Sequence, residues 1–287
     1  MKSLWLLALI LFFLSPQSIS LLPADRGSIG PAAFFAVQSF PNGEAANKNQ
    51  FDVALVLIRG DTFDMGCTGE QQDCFDAEKP AHQVVLSDFY IGKYEVTQKQ
   101  WLLVMGFNPS SFRNCDKRPV ENISWYDVQE FLQKLNQTLP AGQNPYRLLT
   151  EAEWEYAARG GGNAVLFGNG KNVADPAQIN FDSNWVPKPY SIVGIDRQKT
   201  TPVGSFSANP LGLYDMSGNV WDWCNDWYDS YSSSLQINPT GPPSGTSRVV
   251  RGGSWFYYPQ ACRVASRLNV RPDTRSYLVG FRLAKSL

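Results

Sequence analysis

Gly212-Leu213-Tyr214-Asp215-Met216-Ser217-Gly218-Asn219-Val220-Trp221-Asp222-Trp223 is the stretch whose reading decides the fold. It sets a carboxylate on either side of a glycine, Asp215 before Gly218 and Asp222 after it, and then a run of tryptophans at 221, 223 and 227. Without a Cβ, Gly218 admits a turn that brings its neighbours' carbonyls inward. Read by themselves, the two acids are able to cap turns. The tryptophans read as core aromatics, one of which can wall a pocket.

Outward from that stretch, regular periodicity is scarce. Upstream, Val53–Ile58 is an apolar strand candidate closed by Gly60 and Asp61, and Val84–Ile91 is a second. Two helices are signalled by capping boxes. Ser124 with Asp127 precedes Trp125, Val128, Phe131, Leu132 and Leu135 at helical spacing, and Thr150 with Glu153 precedes Trp154, Ala157 and Ala158. Gly160-Gly161-Gly162 ends the second helix. From there to about residue 285 the chain is rich in Gly, Asn, Asp and aromatics, with short strands at best. Its loops must be held by buried aromatics, bound metal or disulfides. No repeat of 20–50 residues is present.

Composition narrows the function. The 287 residues carry 25 Lys+Arg against 26 Asp+Glu, a formal charge of −1, with 9 Trp, 12 Tyr and 17 Phe. So many aromatics with so little net charge exclude a disordered polyelectrolyte. The balance also leaves no basic footprint for nucleic acid. A single histidine, His82, excludes multi-histidine metal sites and any Ser-His-Asp triad in which it is not the base. A hydrogen-bonded structural role is the simpler reading of His82.

The N-terminus has Lys2, an apolar run of 11 residues from Leu4 to Leu14, and small residues at Ser18 and Ser20. That describes a cleavable export signal over 1–20, too short for a comfortable membrane anchor of about 20 residues; a buried apolar helix is the alternative. Cleavage leaves 24 basic and 26 acidic residues, a charge of −2. Residues 21–50 read as a leader or linker, and 51–287 as one domain with no stable membrane span. A periplasmic or secreted location permits disulfides. Cys67 and Cys74 bracket a short loop and make a natural pair. Asn122-Ile123-Ser124 and Asn136-Gln137-Thr138 fit the glycosylation sequon of eukaryotic hosts.

Several motifs occur in a fixed order: Phe63-Asp64-Met65-Gly66, Tyr94-Glu95-Val96-Thr97, Arg118-Pro119-Val120-Glu121-Asn122-Ile123-Ser124-Trp125, Arg147-Leu148-Leu149-Thr150-Glu151-Ala152-Glu153-Trp154, the opening stretch, Arg251-Gly252-Gly253-Ser254-Trp255 and Gly280-Phe281-Arg282. With them the chain resembles the formylglycine-generating enzyme (sulfatase-modifying factor) family over roughly 51–285. The resemblance implies an α+β fold, a loop-rich variant of the C-type-lectin fold low in regular secondary structure. It implies a structural calcium ion at Asp215, Gly218, Val220 and Asp222. It implies a second calcium at Asn180 and the carbonyl of Phe181, near Asp196, where the spacing departs from the family pattern.

The resemblance also implies two copper(I)-binding cysteines after the Gly-Gly-Ser motif, five residues apart, which oxidise a substrate cysteine to formylglycine. Here the first position is Tyr257 and the second is Cys262. A phenol does not replace a thiolate on copper(I), so copper is not expected. Cys262 is then either a reactive thiol in a pocket with Ser254, Trp221 and Tyr257, or half of a disulfide with Cys224. Cys115 is left over. Residues 256–279 interleave aromatics with Arg263, Arg267, Arg271 and Arg275, side chains that make adaptable binding surfaces. The expected ligand-binding set is Trp221, Ser254, Tyr257, Tyr258 and Arg263. Three functions follow: an exported module that binds a protein or small molecule, a non-standard periplasmic oxidoreductase such as one in siderophore maturation, or a formylglycine-generating oxidase.

Overall fold

Three β-region threonines and serines start three helices. Thr97 precedes α1 (Gln98–Met105), Ser124 precedes α2 (Trp125–Gln137) and Thr150 precedes α3 (Glu151–Ala158). Each hydroxyl accepts from the N3 amide while the N3 side chain, Gln100, Asp127 or Glu153, reaches back to the cap amide. That reciprocity satisfies donors a helix start otherwise leaves bare. The α2 and α3 caps are those the sequence signals. The helix α1 has no such reading, because Trp101-Leu102-Leu103-Val104 is an apolar run without a clear period. Its C-cap Gly106 is left-handed at φ 80°.

This computed structural model describes residues 51–287. The export signal over 1–20 and the leader over 21–50 lie outside the described residues. The described residues form one compact unit. Its strands are β1 (Leu55–Ile58), β2 (Thr62–Met65), β3 (His82–Val85), β4 (Phe89–Gly92), β5 (Tyr146–Arg147), β6 (Trp221–Trp227), β7 (Gln236–Ile237), β8 (Arg248–Arg251), β9 (Arg267–Val270), β10 (Val279–Gly280) and β11 (Ala284–Ser286). They form three small sheets, ordered β1-β4-β11-β5, β10-β6-β8-β9 and β2-β3-β7. This is the loop-rich α+β architecture expected.

The second strand candidate, Val84–Ile91, is two strands. The chain turns at Leu86-Ser87-Asp88, where Asp88 accepts from the Gly60 amide at 2.8 Å and from Arg59 at 2.5 Å. β3 then joins one sheet and β4 another. No helix among the described residues is long and apolar enough to cross a membrane.

One apolar cluster packs α2 beneath the second sheet. Trp101 stacks on Phe131 at 5.1 Å, and Phe281 meets both edge-on. Fully burying side chains of this size contributes about 1.5–3 kcal/mol each. A second cluster lies under α3. Between them runs a charged seam that the sequence does not announce. Glu155 accepts from the Gly66 amide at 2.8 Å, from Arg159 Nε at 2.9 Å and from Arg251; Glu151 takes Arg267 on both oxygens. These charges are buried, and the pairing is what makes burial tolerable. The fold thus ties its loops with ion pairs as well as aromatics.

Candidate functional site

The segment from Gly252 to Arg263 is shaped by close backbone approach. Gly253 is left-handed at φ 78°, and a Cβ there would sit 2.5 Å from Cys262 Sγ. The glycine is therefore what allows the thiol to pack beneath the loop. Ser217 Oγ donates to the Cys262 carbonyl at 2.6 Å, and the Gly218 amide donates to the Gly252 carbonyl at 2.7 Å. The opening stretch and the Gly-Gly-Ser stretch are thereby laid side by side.

Cys262 is fully buried, and burial pushes its thiol up to about 12. Cys224 is buried as well, and burial followed by the nearby Asp226 and Glu151 carboxylates pushes it well above the ordinary thiol range. The expected Cys224–Cys262 disulfide is not formed; both are free thiols. The reason is topological. Cys224 packs with the cluster under α3, whereas Cys262 packs with Leu166, Phe167 and Tyr190. The Cys67–Cys74 disulfide does form, and Cys115 is a partly exposed free thiol. Alkylation of the native protein with N-ethylmaleimide at pH 8 is expected to add one label, at Cys115. Denaturant exposes Cys224 and Cys262 for two more. Intact mass distinguishes these outcomes, and native labelling of Cys262 would contradict its burial.

Tyr257 meets Trp221 edge-on at 5.3 Å, and burial raises its phenol above the usual range. Tyr258 stacks on Trp185 at 5.6 Å, and Trp255 packs between Phe256, Tyr277 and Phe112. Trp185 and Phe256 are about half exposed, at 51% and 49%. An aromatic surface is therefore present, but its membership differs from the expected set. Tyr257 and Tyr258 reach it. Ser254, Trp221 and Arg263 do not, because each is buried. Arg263 has both terminal nitrogens on Glu78 and also donates to Gln71 Oε1 and the Asp73 carbonyl. It fastens the disulfide loop to the site and presents no free donor at its tips. Arg267 and Val264 are likewise interior, while Arg271 and Arg275 are exposed.

Trp185 has no place in the expected set. A tryptophan within the polar run Asp182-Ser183-Asn184 was its one sequence signal. The loop bearing it is tied to the disulfide loop through Lys188 and Tyr190, which both bond Asp73 Oδ2. His82 is structural: its Nδ1 lies 3.2 Å from the Pro80 carbonyl and its ring packs on Tyr231. Both sequon asparagines are engaged, Asn122 with the Pro109 carbonyl and Asn136 with the backbone of Tyr146.

At the expected calcium position, Asp222 Oδ2 accepts from Arg282 Nε at 2.7 Å and from Trp154 Nε1 at 2.9 Å. Its other oxygen, Oδ1, is buried without a hydrogen-bond partner. Asp215 sits at φ 55°, one Oδ accepting from the Gly204 amide at 2.7 Å; burial holds its carboxyl up to about 6. Nearby, the Asn180 Oδ1 is also buried and unpartnered. No three His, Cys, Asp or Glu side chains among the described residues converge on one metal position, so an ion here would depend on the carbonyls of Gly218 and Val220.

Comparison with known proteins agrees with the fold. The family model of the sulfatase-modifying factor enzyme 1-like domain matches residues 41–287. The chain is 38% identical to the chaperone protein LppX of Paenibacillus barcinonensis over 242 residues, covering 70% of this chain and 78% of that protein. It is 31% identical to the formylglycine-generating enzyme of Thermomonospora curvata, covering 80% of this chain and 92% of that enzyme. It is also 31% identical to the serine/threonine-protein kinase pkn1 of Chlamydia pneumoniae, of whose length it spans only 38%. Among solved structures, Treponema denticola variable protein 1 superposes with a TM-score of 0.67 at 28% identity, covering 81% of this chain and 95% of that one.

Proposed function

We propose that this chain, which belongs to the sulfatase-modifying factor family, is an exported binding module that uses the aromatic surface around Tyr258 and Trp185. The observation that carries the reading is the pair of positions 257 and 262. A copper(I) site of two thiolates needs two soft, ionised sulfurs. This chain offers a phenol at 257 and, at 262, a thiol held protonated by burial up to about 12. Those residues do not fit the metal, and no oxidation step is assigned to them. A relative named as a chaperone protein supports binding in place of oxidation.

The exposed faces of Trp185, Phe256, Tyr258 and Tyr277 are what such a module uses. Amphipathic rings give large contact area at small conformational cost. The ion pairs and the disulfide loop behind them hold the rings in place. We assign the structural calcium to Asp215, Gly218, Val220 and Asp222; the unpartnered Asp222 Oδ1 supports that reading. When bound, the ion supplies charge neutralisation and cross-links the turn.

Two measurements test the reading. Incubation with copper(I), oxygen and a cysteine peptide of the sulfatase type is expected to give no oxygen uptake and no aldehyde; turnover would overturn it. Peptide and glycan arrays probed with the native protein are expected to give hits that disappear for the doubly substituted Trp185→Ala, Tyr258→Ala protein. Identical array patterns for the two would place binding elsewhere.

A further inference from the structure

Asp226 follows a break in strand β6. The β6–β8 register shifts between Trp223 and Trp227, and such an irregularity re-aims side chains. Here it turns Asp226 inward while Asn225 faces solvent. Asp226 is 4% exposed. One of its oxygens, Oδ2, accepts from the Glu151 amide at the start of α3 at 3.0 Å. Among the described residues, no hydrogen bond reaches Oδ1. The chain roofs this side chain at Gly241, left-handed at φ 72°, where a Cβ would sit 2.9 Å from Asp226 Cβ and 3.3 Å from Oδ1.

Most other buried carboxylates have their cations; Glu95 and Glu121 meet amides instead. Glu78, Glu151, Glu153, Glu155 and Asp222 each meet a guanidinium within 2.9 Å. Asp226 meets none. It fronts a cavity of about 280 Å³, whereas Glu95, also without a guanidinium in contact, borders only about 40 Å³. Part of the cavity wall is apolar or aromatic, from Met65, Trp227, Tyr231, Pro239 and Pro242, and the rest is polar, including Glu151, Asp229, Gln236 and Thr240. Its one guanidinium is spent, since Arg267 holds Glu151 with two nitrogens, gives a third to the Ala77 and Asp229 carbonyls, and lies on the Tyr228 and Tyr231 rings.

We propose that this cavity is a binding site for a primary ammonium carried on an aliphatic stem. The ammonium would meet Asp226 Oδ1, and the stem would lie along Trp227, Tyr231 and the two prolines. A buried carboxylate lacking a cation favours a positively charged guest, and aromatic walls add to that preference. An anion would face Asp226 and Asp229 with no free donor from Arg267. An apolar guest would leave Oδ1 bare.

The groups facing Asp226 set its titration. Glu151 and Glu153 from α3 oppose its ionisation, Arg267 from β9 favours it, and Asp229, Tyr231 and His82 complete the wall. Burial is the leading cause and holds the carboxyl up to about 8. At pH 7 the empty site is therefore mostly protonated, and an ammonium guest displaces that proton.

Isothermal titration of the full chain with n-butylamine at pH 7, in two buffers of different ionisation enthalpy, reads both binding and proton release. Binding accompanied by proton release is expected, with the release diminishing at pH 9. n-Butanol, the neutral analogue, is expected not to bind. Asp226→Asn retains an acceptor for the Glu151 amide and is expected to weaken butylamine binding at least tenfold. Equal binding of butanol, unchanged binding by D226N, or no amine binding by the folded native protein would each overturn the proposal. If D226N fails to fold, the butanol comparison and the proton release decide. Nα-acetyl-lysine methylamide and putrescine separate the two sources of such a group: the tighter binder identifies a protein lysine or a free amine.

Discussion

Glu155→Ala is expected to lower stability by about 3–5 kcal/mol, the usual cost of removing one partner from a buried ion pair. The substitution strands more than one group. Glu155 accepts from Arg159, Arg251 and the Gly66 amide, and its side chain is wholly buried. Its loss leaves Arg251 with the Ala265 and Ser266 carbonyls and, as its nearest carboxylate, Glu151 at 3.6 Å. In a domain of this size each kcal/mol moves the melting temperature by about 2–4 °C, so a fall of roughly 6–20 °C follows in a thermal melt at pH 7. Glu155→Gln, which keeps the shape and one acceptor, is expected to fall between. A melting temperature for E155A within about 2 °C of the native protein would mean that the seam does not hold the loops.

Chelation is expected to have an effect of similar size. If calcium occupies the site at 100–1,000 times its dissociation constant, it adds about 2.7–4.1 kcal/mol through mass action. Removing it with a chelator should therefore lower the melting temperature by roughly 5–16 °C, and added calcium should restore it. Asp222→Asn keeps one oxygen for Arg282 and Trp154 but puts an amide NH2, which cannot ligate calcium, at the unpartnered position. It is expected to abolish most of the calcium dependence. Equal melting temperatures for the native protein with chelator and with calcium would remove the ion from the account.

Local signals were the readable ones. The capping boxes of α2 and α3 stand out because cap and N3 residue lie three apart and an apolar face follows. Helix α1 has the same box at Thr97 and Gln100, but its apolar run hides the period. The Val84–Ile91 stretch reads as one strand although Ser87-Asp88 interrupts its apolar run; the corner lies there, fixed by Asp88 bonding Gly60 and Arg59. Tyr257 and Cys262 are legible as departures at defined positions; how deeply Cys262 is buried is not.

The sequence by itself determined the family, the loop-rich α+β class, the caps of α2 and α3 and the Cys67–Cys74 pair, all of which depend on neighbours in the chain or on ordered motifs. Tertiary structure alone decided which polar groups meet. Arg263 looks like a surface arginine among aromatics, yet it lies buried on Glu78, 185 residues away. Cys224 and Cys262 look like partners by motif, yet they belong to different apolar clusters. Asp226 looks like one more acid after a tryptophan, until the chain roofs it at Gly241 and no cation arrives. A charge or thiol is defined chemically by what surrounds it, and here those surroundings come from segments far apart in the chain.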